Sequence, residues 1–92
     1  MRYITVIKLT DEGRKHLPEA KEVLKKVYDL VASFDGKVEA IWATAGRYDF
    51  ISAAEFPTVD AALNAETKFM DTGFFLAESY EAFDMETFLA TA

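Results

Sequence analysis

The sequence predicts an α+β domain whose elements follow the order β-α-β-β-α-β. Four runs rich in β-branched and aromatic residues are separated by Gly, Pro, Asp or Thr, which is typical of strands. Two of the intervening segments repeat apolar residues every three or four positions, which is typical of amphipathic helices. A chain of 92 residues is also short enough to form a single core. We therefore expect one domain over residues 1–92.

The first strand and the first helix are predicted from the N-terminal third. Residues 3–9 read as a mostly buried strand, and residues 10–13, Thr-Asp-Glu-Gly, read as the turn that ends it. In the helix that follows, Pro18 suits the first turn and Gly36 suits a left-handed stop. The apolar positions of this helix are Leu17, Ala20, Val23, Leu24, Val27, Tyr28, Val31 and Phe34.

Residues 37–44 and 48–56 are predicted to form an antiparallel hairpin. The connection between them is short, and Gly46 is its expected positive-φ residue. A second helix begins after Thr58, whose hydroxyl can cap it, and Gly73 closes it. A fourth strand is expected over residues 74–83, and Asp84 can cap a short final helix.

This order matches the ferredoxin-like arrangement, a four-stranded antiparallel sheet with both long helices on one face. The predicted strands are apolar on both faces, so neither face suits solvent. We assign one side-chain set to Val38, Ala40, Trp42, Tyr48, Phe50, Ala54, Phe56, Phe74, Leu76 and Tyr80. The other set is Ile41, Ala43, Ile51, Ala53, Phe75, Ala77 and Phe83. Because helices cover only one face, we expect the other to meet a second copy in a homodimer, which can assemble further, or to close around a ligand.

Composition narrows the classes of function. A net charge of −6 opposes binding to nucleic acid or to an anionic membrane. The absence of cysteine removes thiolate nucleophiles and disulfides, and the lone His16 lacks metal-ligand spacing. Gly46 stands alone rather than in a phosphate-binding loop. We expect a cytoplasmic protein without cofactor or metal and with no nucleic-acid or membrane partner.

Three segments carry a family resemblance. Together they resemble the GYD domain family, and they are residues 10–13, the Gly46-Arg47-Tyr48-Asp49-Phe50 segment and Glu55-Phe56-Pro57. In this chain Arg47 stands between the glycine and the tyrosine that give the family its name. The resemblance covers nearly the whole chain and implies a dimeric α+β barrel. Related barrels include amino-acid-sensing domains, cofactor-independent monooxygenases, haem-degrading enzymes and isomerases, so the resemblance does not imply one activity.

Candidate site residues cluster around the hairpin and the last strand. Asp49 can act as a base, although an aspartate beside a turn glycine more often braces the loop by accepting backbone N–H bonds. The catalytic candidates are Asp49, Tyr48 and Tyr80. The candidates for ligand binding are Trp42, Gly46, Tyr48, Asp49, Phe50 and Glu78. Ser52 and Thr5 can add polar groups, and Lys8 is expected to pair with Glu78 or Glu81.

Three functions remain open on the sequence. The first is a homodimeric small-ligand-binding or regulatory module, with an apolar pocket near the sheet interface and residues 46–49 at its rim. The second is a small dimeric-barrel enzyme, a cofactor-independent oxygenase or isomerase, acting on an aromatic or lactone-like substrate. The third is a structural dimer whose sheet faces are fully packed.

Overall fold

The computed structural model describes residues 1–92 and contains a four-stranded antiparallel sheet in the order β2-β3-β1-β4. The strands are β1 (Arg2–Leu9), β2 (Lys37–Ala43), β3 (Phe50–Glu55) and β4 (Phe75–Ala82). The helices are α1 (Asp11–Lys15), α2 (Ala20–Ser33), α3 (Val59–Asp71) and α4 (Met85–Thr91), with a 3-10 turn over Leu17–Glu19. The predicted ferredoxin-like arrangement is confirmed. No helix combines the length and the apolar composition that a membrane crossing requires.

The predicted ends of the last two helices are also confirmed. The Thr58 hydroxyl accepts a hydrogen bond from the backbone N–H of Ala61 at 3.0 Å, which caps α3. The Asp84 carboxylate accepts one from the N–H of Thr87 at 2.7 Å, which caps α4. Gly73 follows α3 with φ +80°, a conformation that favours glycine.

Two other glycines have roles different from those predicted. The left-handed residue after α2 is Asp35, with φ 60°, and not Gly36. A Cβ at Gly36 would lie 2.5 Å from the Phe56 ring, so glycine is needed there for close packing. Gly46 does not have positive φ either, and a Cβ there would meet nothing within 4 Å. The loop between β2 and β3 spans residues 44–49, so it needs no tight turn.

The two faces of the sheet differ from the predicted sets. One face packs against α2 and α3, and we call the other, uncovered face the open face. Trp42 and Tyr80 lie on the open face, whereas Val38, Phe50 and Phe56 lie on the helix side. The predicted grouping is wrong because a bulge between Val38 and Ala40 shifts the alternation of β2, and because the long loop frees β3 from the parity of β2.

The core is small, since only 9 of 92 residues are buried. Its centre is formed by Tyr3, Ala54, Phe56, Ala62 and Ala65. Helix α3 contributes two of these residues, but the 14-residue α2 has no buried residue at all. Helix α2 therefore packs less closely on the sheet than α3 does, and space remains beneath it.

Candidate ligand-binding cavity

A cavity of about 280 Å³ lies between α2 and the helix side of the sheet. Fourteen of its sixteen lining residues are hydrophobic. Helix α2 contributes short side chains such as Ala20 and Val23 as well as the longer Leu24 and Tyr28, and the strands contribute Ala43 and Phe50. Together they enclose an apolar chamber that suits an apolar molecule.

His16 brings an imidazole to this lining. Its ring stacks on Phe74 with centroids 4.4 Å apart, and its Nδ1 lies 2.8 Å from the backbone carbonyl oxygen of Glu12. A carbonyl oxygen only accepts, so Nδ1 carries the hydrogen in this contact. In the neutral ring Nε2 then keeps a lone pair that can accept a hydrogen bond or a proton. Tyr28 lines the cavity as well.

A second chamber of about 80 Å³ adjoins the first, and the two share Ile7, Val27, Ile41 and Phe69 in their walls. Besides the phenol of Tyr3, three aliphatic hydroxyl side chains line it. The strand register places Thr5 opposite both Ser52 and Ser79, so the three hydroxyls cross the sheet in one row. We call these three residues the hydroxyl row.

Asp49 lies near the end of β1, and its carboxylate is engaged by the backbone. Its Oδ2 accepts a hydrogen bond from the N–H of Leu9 at 2.8 Å, and its own N–H donates to the carbonyl oxygen of Ile7 at 2.9 Å. The guanidinium of Arg14 lies 4.0 Å from the same oxygen. The Asp49 carboxylate accepts a backbone N–H as expected, but the donor is Leu9 of β1 and not a residue of its own loop, so it ties the loop to β1.

The Thr10–Gly13 segment holds the same end of β1. It was predicted as a turn, but it forms the start of α1, where the Thr10 hydroxyl accepts from the N–H of Gly13 at 3.0 Å. The same hydroxyl donates to the carbonyl oxygen of Gly73 at 2.6 Å. The backbone N–H of Thr10 donates to the carbonyl oxygen of Phe74 at 2.9 Å. A Cβ at Gly13 would collide with the Phe74 carbonyl oxygen, so this close approach requires glycine.

Several predicted site residues lie on the open face, away from the cavity. Trp42 is 53% exposed, and Glu78 accepts a hydrogen bond from the Tyr80 hydroxyl at 2.7 Å. That hydrogen bond raises the pKa of Tyr80, and the nearby Tyr48 adds to the shift. Of the predicted ligand-binding residues only Phe50 lines the cavity, and Gly46 lies in the loop before it.

The predicted ion pair of Lys8 is wrong. The register places Lys8 opposite Leu76, whereas Glu78 is opposite Val6 and Glu81 points to the other face. Neither carboxylate lies within 4.0 Å of the Lys8 ammonium group.

Sequence reasoning did not assign His16 and Tyr28 to a ligand site. The sequence signal for this site was a helix with small residues on its apolar face, together with the single histidine just before that helix. No group of three or more His, Asp or Glu side chains is placed to hold a metal ion.

The sheet order, the two covering helices and the cavity beneath α2 define a small α+β protein of the ferredoxin-like class. A family model for the GYD domain matches residues 3–92, and the chain belongs to the GYD domain family. The crystal structure of At3g17210 from Arabidopsis thaliana is similar, with a TM-score of 0.57 and 15% sequence identity. The match covers 91% of this chain and 96% of that chain, and at this identity it shows the fold alone. A search of curated proteins finds no match.

Proposed function

We propose that this protein is a homodimeric module that binds a small apolar molecule in the cavity beneath α2. The observation that carries the proposal is the chamber of about 280 Å³ with an almost entirely apolar lining. By the volume that one water-sized group needs, it has room for roughly 10 to 20 non-hydrogen atoms. Ligand sites of small proteins are typically concave and apolar with a few polar groups, and this chamber has that character.

The small core gives such a ligand a structural role. With only 9 of 92 residues buried, and none of them on α2, the first long helix gains little from packing on its own sheet. A bound apolar molecule would fill the space between Val23 and Phe50 and remove apolar surface from water. Ligand binding would therefore stabilise the folded chain, by an amount that grows with the logarithm of the ligand concentration above its dissociation constant, which supports a sensing or regulatory role.

The homodimer is supported by the open face. Three large apolar side chains there are more than half exposed, namely Trp42 at 53%, Leu76 at 61% and Tyr80 at 56%. Lys8 and Glu78 lie on the same face without an ion pair between them. A second copy related by a two-fold axis would cover the apolar residues and bring an opposite charge to each of these two. In this proposal the open-face residues belong to the dimer interface.

A small enzyme is the second candidate, and His16 is the observation that favours it. Its Nδ1 makes the contact with Glu12, and its Nε2 makes no hydrogen bond within the chain. An imidazole beside an apolar chamber can take a proton from an aromatic or lactone-like substrate, as an isomerase or a cofactor-independent oxygenase requires. Asp49 is less suited to this task because its carboxylate is held by the N–H of Leu9.

Titration with naphthalene, followed by calorimetry, tests the binding proposal. Naphthalene is uncharged, apolar and small enough for the chamber. We expect saturable binding at one site per chain, and a loss of at least about 10-fold in affinity in Val27→Phe, which places a larger side chain between the two chambers.

Val59→Phe is the matched control, because Val59 lies at the start of α3, is 42% exposed and does not line the cavity. It should bind naphthalene as the wild type does. Circular dichroism of both variants confirms that they remain folded. If the wild type shows no saturable binding, or if both variants lose it equally, the proposal is wrong.

A further inference from the structure

We infer that the cavity selects an uncharged molecule whose apolar body carries a hydroxyl or carbonyl group, and that the hydroxyl row of Thr5, Ser52 and Ser79 binds this group. The inference rests on the proposed function, since it specifies the ligand of the same site. It divides the ligand between the two chambers, with the body in the larger one and the polar group in the smaller one.

The hydroxyl row has hydrogen-bonding capacity that the protein leaves unused. Thr5 Oγ1 and Ser79 Oγ lie 2.7 Å apart and bond to each other, which uses one of their two hydrogens. The Ser52 hydroxyl makes no hydrogen bond to another side chain or to the backbone, and it is not sealed from solvent. Ser52 lies on the helix side of β3, so a ligand would reach its hydroxyl through the smaller chamber, which Ser52 lines. A row with a free donor and free acceptors suits a hydroxyl or a carbonyl group.

The position of the row fits one molecule that occupies both chambers. Ile7 and Val27 lie in the walls of both, so the two spaces adjoin and are divided at most by side chains such as these. The strand register places Thr5 two residues before Ile7 on the same face of β1. Two residues along a strand span about 7 Å, which is close to the length of a fused pair of aromatic rings. A polar group at the end of such a body reaches the row while the body stays among apolar side chains.

The charges around the cavity favour a neutral ligand over an anion. No lysine or arginine lines either chamber, whereas Glu66 from α3 lines the smaller one that also contains the row. Glu66 forms no ion pair within the chain. A carboxylate ligand placed against the row would lose its hydration without gaining a cationic partner, and it would approach the charge of Glu66. Fatty acids, aromatic acids and phosphates are therefore poor ligands.

Three probes of nearly equal size test this inference by calorimetry near neutral pH, namely naphthalene, 2-naphthol and 2-naphthoate. If the hydroxyl of 2-naphthol forms one hydrogen bond with the row, 2-naphthol should bind about 3- to 10-fold more tightly than naphthalene. The charged 2-naphthoate should bind more weakly than either. Ser52→Ala should bring the affinity for 2-naphthol down to that for naphthalene and leave the affinity for naphthalene unchanged.

Ser33→Ala is the matched control, since it removes the same hydroxyl from the exposed end of α2. It should leave all three affinities at their wild-type values. The inference is overturned if 2-naphthoate binds as tightly as 2-naphthol, if 2-naphthol gains nothing over naphthalene, or if Ser52→Ala weakens both neutral probes equally. Binding of naphthalene without a preference for 2-naphthol would leave the proposed function intact. A failure of all three probes to bind would contradict the proposed function itself.

Discussion

The backbone N–H of Leu9 donates a hydrogen bond of 2.8 Å to the carboxylate of Asp49, which joins the last residue of β1 to the loop before β3. Both residues adjoin the cavity, since Leu9 lines it and Asp49 precedes Phe50, which also lines it. The aspartate of the GYD signature thus fixes the position of two cavity walls relative to each other, and its chemistry here is that of a hydrogen-bond acceptor.

We expect Asp49→Ala to lower the free energy of unfolding by about 1–3 kcal/mol, because the N–H of Leu9 loses a charged acceptor in a partly buried setting. Asp49→Asn should cost less, since its amide oxygen can still accept. Urea denaturation measures both. Asp29→Ala on the exposed side of α2 is the control and should stay within about 0.5 kcal/mol of the wild type. Unchanged stability in Asp49→Ala would return this residue to the list of catalytic candidates.

Gly13 and Gly46 should respond in opposite ways to the same substitution. Gly13→Ala places a Cβ against the Phe74 carbonyl oxygen, which is backbone and cannot move aside, so we expect a loss of about 1–3 kcal/mol. Gly46→Ala meets open space and needs no unusual φ, so it should be neutral or up to about 1 kcal/mol more stable. Thermal unfolding of the two variants side by side makes the comparison. A larger loss at Gly46 than at Gly13 would show that the β2–β3 loop adopts another conformation.

The proposed dimer makes Trp42, on the edge strand β2, one of the main apolar contacts of the open face. Trp42→Glu should raise the dimer dissociation constant by about 30-fold or more, because a large aromatic anchor is replaced by a charge. Native mass spectrometry over a concentration series reports the two species. Leu63→Glu is the control, since Leu63 is 56% exposed on α3 and should leave the dimer unchanged. A wild type that is monomeric at every concentration would refute the proposed interface.

Glu39 should make stability depend on pH in the acid range. Two hydrogen bonds from Arg2, at 2.8 and 3.0 Å, hold the pKa of the Glu39 carboxyl below its ordinary value of 4.5. Because the pKa of Glu39 is lower in the folded state, the stability that its pair with Arg2 contributes is complete above pH 4.5. That stability is lost as the pH falls through the pKa of Glu39 in the folded protein.

Glu39→Gln should therefore unfold at a lower urea concentration than the wild type near neutral pH, and the two midpoints should converge below the folded pKa of Glu39. High salt should reduce the difference because the pair is exposed. Glu22→Gln, on the exposed face of α2 and without an ion pair, is the matched variant and should follow the wild type throughout. A difference that persists unchanged into acid would assign the effect to packing.

Much of the fold follows from local patterns in the sequence. The caps at Thr58 and Asp84 and the stop at Gly73 were predictable because each depends on a few adjacent residues. The sheet order followed from the element order. The assignment of faces did not, because both faces are apolar and a single extra residue between Val38 and Ala40 reverses the alternation of β2.

The candidate site was harder to predict than the fold. Trp42 and Phe50 occupy similar places in the apolar pattern, yet one lies on the open face and the other in the cavity. The cavity itself depends on how far α2 stands from the sheet, which is set by packing between residues distant in the chain. Asp49 shows the same limit from another side, since its partner Leu9 lies 40 residues away.

Asp49, Thr10 and Gly13 contact the backbone around the end of β1, and we call this region the joint. The residues that hold the joint together are different from the residues that we propose to select the ligand. The joint residues act on Leu9, Gly73 and Phe74 through main-chain atoms, while in the proposed function the hydroxyl row and the side chains of α2 set what the cavity accepts. Exchanging lining residues such as Ser52 or Val23 leaves the joint untouched. If the proposed binding holds, a few substitutions in the lining should therefore change the ligand preference without altering the fold.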